Sequence, residues 1–220
     1  MRIQLPFRDR DQAGHALAER LAERTWPSPV VLALPRGGVP VARVVADRLA
    51  CPLDVVLVRK IGAPFHAELA IAAVVEGDPP TVVHNPEAAR IEAHDPDYLE
   101  DARARAVREI ERRRAAYLGD RVPIDVRGKT AILVDDGLAT GTTMRAAILA
   151  MREREAARVV VAVPVAPPDT ADEMRGLADN VVCLAEPASF AAVGQFYDDF
   201  HQLDDDEVVR LLQEPDAPPT

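Results

Sequence analysis

The chain has 220 residues, 48% of them hydrophobic, and a formal net charge of −10 at pH 7. That is apolar material for a single core, so one domain over residues 1–220 is expected, and no run approaches the roughly 18 consecutive apolar residues of a membrane span or the apolar stretch of a secretory signal. The negative charge works against loose binding to nucleic acid or acidic membranes, and the expectation is a cytoplasmic protein that holds any anionic ligand by a local device.

Residues 11–24 place Ala13, Leu17 and Leu21 at helical spacing and read as a helix, broken by Pro27 and Pro29. The period then changes. VVLAL (30–34), LDVVLV (53–58), AILV (131–134) and RVVVAVPV (158–165) are short, Val-rich, nearly unbroken apolar runs, the pattern of strands buried on both faces. Helical stretches follow the first (VPVARVVADRLA) and the third (TTMRAAILAMRERE), and this alternation predicts an α/β fold, an open parallel sheet with helices on both faces. TVVHN (81–85) and NVVCL (180–184) are further strand candidates, the first at an edge.

Residues 97–118 predict a long helix with Leu99, Ala102, Ala106, Ile110 and Tyr117 along one stripe. Arg105, Arg108 and Arg112 share a face with Glu109 and Glu111 interleaved, a solvated surface rather than a nucleic-acid site. Cys51 and Cys183 lie far apart in apolar surroundings and read as buried, reduced thiols. Near the end, Asp204 followed by Glu207 ahead of VVRLL forms a capping-box pattern, so the acidic run is a helix start rather than a calcium loop. Residues 28–185 are the expected core, and 215–220 are expected to fray.

The segment ILVDDGLATGTTM (132–144) carries the chemistry. In open parallel sheets ligands bind outside the carboxyl ends of the strands, where the following helices point their N-termini. Here a buried strand ends in two acids, Asp135 and Asp136, and a loop stripped of large side chains feeds a helix beginning near Thr143. Small residues let backbone N–H groups close on a phosphate, with Thr140, Thr142 and Thr143 as added hydroxyl donors. Two carboxylates would repel that phosphate, so they must face sugar hydroxyls or a divalent cation. LPRGGVPVA (34–42) also follows a strand and opens a helix, and Gly37 and Gly38 would let the backbone approach a ligand closely. Arg59 and Lys60 close the second strand ahead of a stretch containing Gly and Pro.

VDDGLATGTTM closely resembles the phosphoribosyl pyrophosphate (PRPP) signature of the type I phosphoribosyltransferases, and with LPRGGVPVA, RKIGAP and VGQFY the likeness runs nearly the whole chain. The resemblance implies that family's Rossmann-like fold, with a small hood from residues 1–27 and 186–214 over the acceptor. It implies Asp135 and Asp136 on the ribose hydroxyls and on Mg2+, the metal held directly, through water or through those hydroxyls. Ala139, Thr140, Gly141, Thr142 and Thr143 would cradle the 5′-phosphate. Arg36, Gly37 and Gly38, often through a strained peptide, would hold pyrophosphate, with Arg59 and Lys60 added from a mobile loop. Asp135, Asp136, Lys60 and Arg36 are the implied catalytic set.

The implied reaction moves the phosphoribosyl group of PRPP to a nitrogen nucleophile, a small-molecule acceptor such as a nucleobase, with loss of pyrophosphate. Oxopurine-type members carry an acid where Ala139 stands, which removes a base for the purine N7 at that position. A homodimer is expected, with the apolar face of residues 143–154 on offer. Phe190, Phe196, Tyr197 and Phe200 either stack on a base or form core, and the sequence alone leaves both open. His66, in the loop region, is expected at the surface. The competing functions are a non-catalytic PRPP-binding regulator or sensor, and a hydrolase using the carboxylate site. No GxGxxG, HExxH, CxxC or GxSxG occurs, and RGKT (127–130) precedes a strand with Pro123 at the first Gly position of a phosphate-binding loop, so that motif is rejected.

Overall fold

Asp9 opens the first helix, α1 (Arg10–Ala22), by accepting the Gln12 N–H on its side chain at 2.8 Å, an N-cap ahead of the expected start. The structure, a computed structural model, describes residues 3–64, 66–84 and 96–213; residues 215–220 and the side chain of His66, two subjects of sequence expectation, lie outside the described residues. Strand β1 (Pro29–Ala33) leads through α2 (Gly38–Leu49) to β2 (Leu53–Val55). After a second, smaller sheet and the long helix α3 (Pro96–Leu118), the chain returns as β6 (Thr130–Val134), α4 (Thr142–Glu153), β7 (Arg158–Val165), α5 (Pro168–Leu177) and β8 (Asn180–Ala185). A short 3-10 turn at Val193–Phe196 and helix α6 (Asp205–Gln213) complete it.

The five strands pair in the order β2-β1-β6-β7-β8, all parallel. From β1 the chain winds outward through α2 on one face, and from β6 it winds the other way through α4 and α5 on the opposite face. Right-handed crossovers in opposite directions put helices on both faces, which is why the strands are apolar without alternation. Val31, Ala33, Ile132 and Val134 pack with α1 and α2; Val30, Leu32, Ala131 and Leu133 pack with α4.

Two expectations are corrected here. The run at 53–58 is not one strand: β2 stops at Val55, and Val58–Ala63 begins β3 of an antiparallel sheet completed by β4 (His66–Val75) and β5 (Thr81–His84). Val56 and Leu57 stay buried across the switch, so hydrophobicity gave no sign of it. The stretch read as a mobile loop therefore supplies two strands. Second, Met144, Ala147, Ile148 and Met151 on α4 pack against the parallel sheet and are fully buried, so that apolar face is occupied within the chain rather than offered to a partner. The capping box forms: Asp204 N–H donates to Glu207 at 2.9 Å and Glu207 N–H to Asp204 at 2.7 Å. Among the described residues neither cysteine is in a disulfide; Cys51 is buried, and burial pushes the half-buried Cys183 thiol up to about 12.

Three consecutive arginines of α3 are committed within the chain. Arg112 and Arg113 bond Glu109, while Arg114 forks between Glu76 (3.0 Å) and Asp54 (3.2 Å), two buried acids at the joint of the sheets. Burial lifts the Glu76 carboxyl above its ordinary range and Arg114 draws it back. Removing the cation from such a site costs about 3–5 kcal/mol, so Arg114→Leu is expected to lower urea stability by that order at pH 7. Glu76 then rises further, and the folded state takes up a proton the unfolded chain has released. Part of the loss should return as the pH falls towards about 5, which unfolding curves across pH would record.

Candidate functional site

Strands β1 and β6 are neighbours in register, Ala33 opposite Val134, and the sheet order reverses between them. The loops that leave them, 34–37 and 135–141, therefore flank the crevice at the carboxyl edge where such sheets bind ligands. Leu34 N–H reaches Val134 O at 2.9 Å, extending the pairing into the loops. The Pro35–Arg36 peptide is cis, and Gly38 starts α2.

The two glycines have a reason internal to the protein. A Cβ on Gly37 would lie 2.1 Å from Asp136 Oδ2, and one on Gly38 would lie 2.6 Å from Val134 O. They are small because one loop packs directly on the other, a constraint internal to the protein. Gly141, the N-cap of α4, has φ +68, a left-handed backbone that favours glycine. Ala139 and Thr140 are exposed, and Thr142 and Thr143 half-buried, around the first turn of α4. Thr140 and Thr142 hydroxyls meet at 3.2 Å, and Thr170 Oγ1 donates to Ala139 O at 2.9 Å. The first N–H groups of a helix lack intrahelical partners and carry its positive dipole end, so this turn presents donors suited to an anion.

The two acids are not equivalent. Asp135 is half-buried at the strand end, and its Oδ1 accepts the Asp136 N–H at 2.9 Å. Asp136 is buried and bonded to Arg10 Nε at 2.8 Å. Arg10 also donates to His201 O at 2.9 Å and stacks 3.9 Å from the Phe200 ring centroid. Tyr197 OH donates to Asp136 O at 2.6 Å; burial pushes its phenol up, so it stays a donor. Burial, then the neighbouring Asp136 charge, pushes the Asp135 carboxyl well up, while for Asp136 burial raises and Arg10 opposes.

Of the four tail aromatics, Phe196 and Tyr197 form core, and Phe190 and Phe200 are half-buried against them. Phe196 and Tyr197 are buried with Phe7; Phe190 packs on Phe196 and Phe200 on Tyr197. The N-terminal segment and the tail are laced together, Phe7 N–H to Phe196 O and Asp198 N–H to Phe7 O, both 2.8 Å.

The cations expected for pyrophosphate are spread out. Arg36 stands 3.8 Å from Asp205 at the start of α6. Arg59 lies on β3, bonded to Glu109 at 2.7 Å, and with exposed Lys60 lines a groove of about 480 Å³ against Tyr98 and Arg105 of α3. No hydrogen bond or ion pair among the described residues joins Arg59 or Lys60 to the 35–38 or 135–143 loops. Arg10, the buried cation of the site, was missed. Its partner is 126 residues away, and a lone Arg in an N-terminal helix carries no motif.

Residues 10–201 match the family model described as the phosphoribosyl transferase domain. Two Mycobacterium tuberculosis proteins, from strains H37Rv and CDC 1551, provisionally named phosphoribosyl transferases, are each 46% identical over 206 residues. The match takes in 94% of this chain but 46% of theirs, so the chain spans about half the length of the curated relatives it matches. The crystal structure of TT1426 from Thermus thermophilus is 45% identical, covering 97% of this chain and all of that one, with a TM-score of 0.84.

Because a methyl group at Gly38 would meet backbone, which cannot swing aside, Gly38→Ala is expected to destabilise by at least about 2 kcal/mol, or roughly 4–8 °C in a chain of this size. A thermal melt showing no change would mean that the two loops are not in contact.

Proposed function

Because the chain belongs to the phosphoribosyl transferase family, we propose that it transfers the 5-phosphoribosyl group of PRPP to a nitrogen nucleophile, a nucleobase being the favoured class, and releases pyrophosphate. One observation carries this reading. At the point where the strand order reverses, a loop bearing Arg36 and a loop bearing Asp135 stand side by side, the second running into the open N-terminus of α4. That puts a hydroxyl acceptor and an anion cradle at the two ends of one loop.

In the reaction the electron pair of the C1–oxygen bond leaves with pyrophosphate and the acceptor nitrogen supplies the new bond. Positive charge gathers at the ribose carbon and negative charge on the leaving group, so the protein's work is placement and charge stabilisation. The first turn of α4, with Thr140, Thr142 and Thr143, holds the 5′-phosphate. Asp135 accepts from a ribose hydroxyl and fixes the ring. Arg36, half-exposed beside the cis peptide, is the cation nearest to receive pyrophosphate.

The side chains present also fit a magnesium ion, within limits. Among the described residues no three acidic, His or Cys side chains converge as a metal cage. Mg2+ keeps several waters and takes one or two carboxylates plus substrate phosphates, a role open to Asp135. When bound, it would neutralise charge on the leaving pyrophosphate.

A second reading, a PRPP-binding regulator without turnover, draws on the tie between Arg59 and Glu109, which engages one expected pyrophosphate cation elsewhere. Calorimetric titration with PRPP, with and without Mg2+, followed by a pyrophosphate-release assay over a panel of bases, separates the two. Magnesium-dependent binding with release supports the transferase, and binding without release for any base supports the regulator. Absence of binding overturns both.

A further inference from the structure

The adjacent acids at the end of β6 face different surroundings. Asp136 is enclosed. Arg10 holds its Oδ2 at 2.8 Å, the backbone of Gly37 lies so close that a Cβ there would sit 2.1 Å from the same oxygen, and Tyr197 bonds its carbonyl. Asp135 is half-buried, its Oδ1 accepts the Asp136 N–H, and its carboxyl stands against that of Asp136, with no arginine bonded to it among the described residues. Asp135 keeps part of its surface exposed, whereas at Asp136 Arg10 and Gly37 already occupy two approaches.

We infer that the acids divide the work: Asp135 is the ligand-facing carboxylate, and Asp136 with Arg10 is a strut that ties the N-terminal segment and the tail to the crevice. Arg10 is the crosspiece. Its guanidinium spends one N–H on Asp136, another on the His201 carbonyl, and its face on Phe200. Asp136, from its own side, meets the β1 loop at Gly37 and the tail at Tyr197. Four segments distant in sequence, around residues 10, 37, 136 and 197–201, thus meet at the two residues of this ion pair. Arg10 acts through Asp136 and is a positioning residue: with the pair intact, the strand end that carries Asp135 is fixed relative to both the Arg36 loop and the segment over it. Lys in place of Arg10 would keep the charge but could not serve Asp136, His201 and Phe200 together, because only the planar fork reaches in those directions.

The assignment of a ligand to Asp135 rests on the transferase reading; the strut does not, and one set of variants tests them separately. Hydrogen exchange is followed at the amides of Phe7, Asp198 and Asp199, which lace the N-terminal segment to the tail. PRPP titrations with Mg2+ are run well below the lowest melting midpoint. Arg10→Met and Asp136→Asn should each speed that exchange by about tenfold or more, and the double variant should be no faster than the worse single one, the non-additivity of residues acting as a unit. Arg10→Lys should restore only part of the protection. In the titrations Asp135→Asn should weaken PRPP by about 30-fold or more with exchange unchanged. Arg10→Met should weaken it by about five- to tenfold, an effect absent in the Asp136→Asn background.

Additive effects of Arg10→Met and Asp136→Asn on exchange would overturn the strut. Loss of PRPP equal for Asp135→Asn and Asp136→Asn, with exchange unchanged in both, would overturn the division of work. If the unaltered protein binds no PRPP, the transferase reading and Asp135's ligand role fall together, and the exchange cycle still decides the strut.

Discussion

The backbone of Gly37 and Gly38 lies against the end of β6 with no room for a methyl group, and the candidate site is arranged around that contact. Strand pairing alone would set β1 beside β6; it would not determine how their loops stand relative to one another beyond the sheet. Contact between the loops does. With Leu34 bonded to Val134, the pairing continues past the last strand residue, and the Arg36 loop is held at a fixed offset from Asp135 and from the first turn of α4. A binding crevice in this fold class is a gap between two loops, and its width is set by how closely they are permitted to approach.

The opposite wall is built by a longer-range device. Phe7, Phe196 and Tyr197 form a small apolar cluster separate from the two that cover the sheet, and such a cluster alone gives limited orientation. Polar contacts supply it: the Tyr197 hydroxyl on the Asp136 carbonyl, and Arg10 between Asp136 and His201. A buried ion pair is weak evidence for stability, since desolvation offsets much of its attraction. Its directional bonds nevertheless favour one placement over others that an apolar cluster would accept equally well.

What the sequence disclosed follows from what is local. Runs of Val and Ile at 30–34, 131–134 and 158–165 announced buried parallel strands because both faces are covered, and the capping box at Asp204 and Glu207 is a four-residue signal. The strand–loop–helix course through 137–143 was legible for the same reason, being continuous in sequence. The break between Val55 and Val58 was not, because burial is unbroken across it and the change of partner is a tertiary fact. Nor was the role of Gly37, whose neighbour is Asp136, or of Arg10, whose partner lies 126 residues on. Tyr197 was noticed for its ring, while the structure uses its hydroxyl.

Charge brings these pieces to one question. The chain carries a net charge of −10, and two adjacent carboxylates beside an anion cradle would raise the local negative potential further. Arg10 answers half of that. By bonding Asp136 in a buried setting, where interactions are poorly screened, it removes one of the two charges from the field felt at the crevice while leaving Asp135 in place. The remaining acid, Asp135, and the open N–H groups of α4 then stand at the two ends of one loop, the arrangement on which the proposed transferase reading draws. The doubled acid is then one residue bound to an internal cation and one left at the start of the loop, in a protein whose net charge is −10.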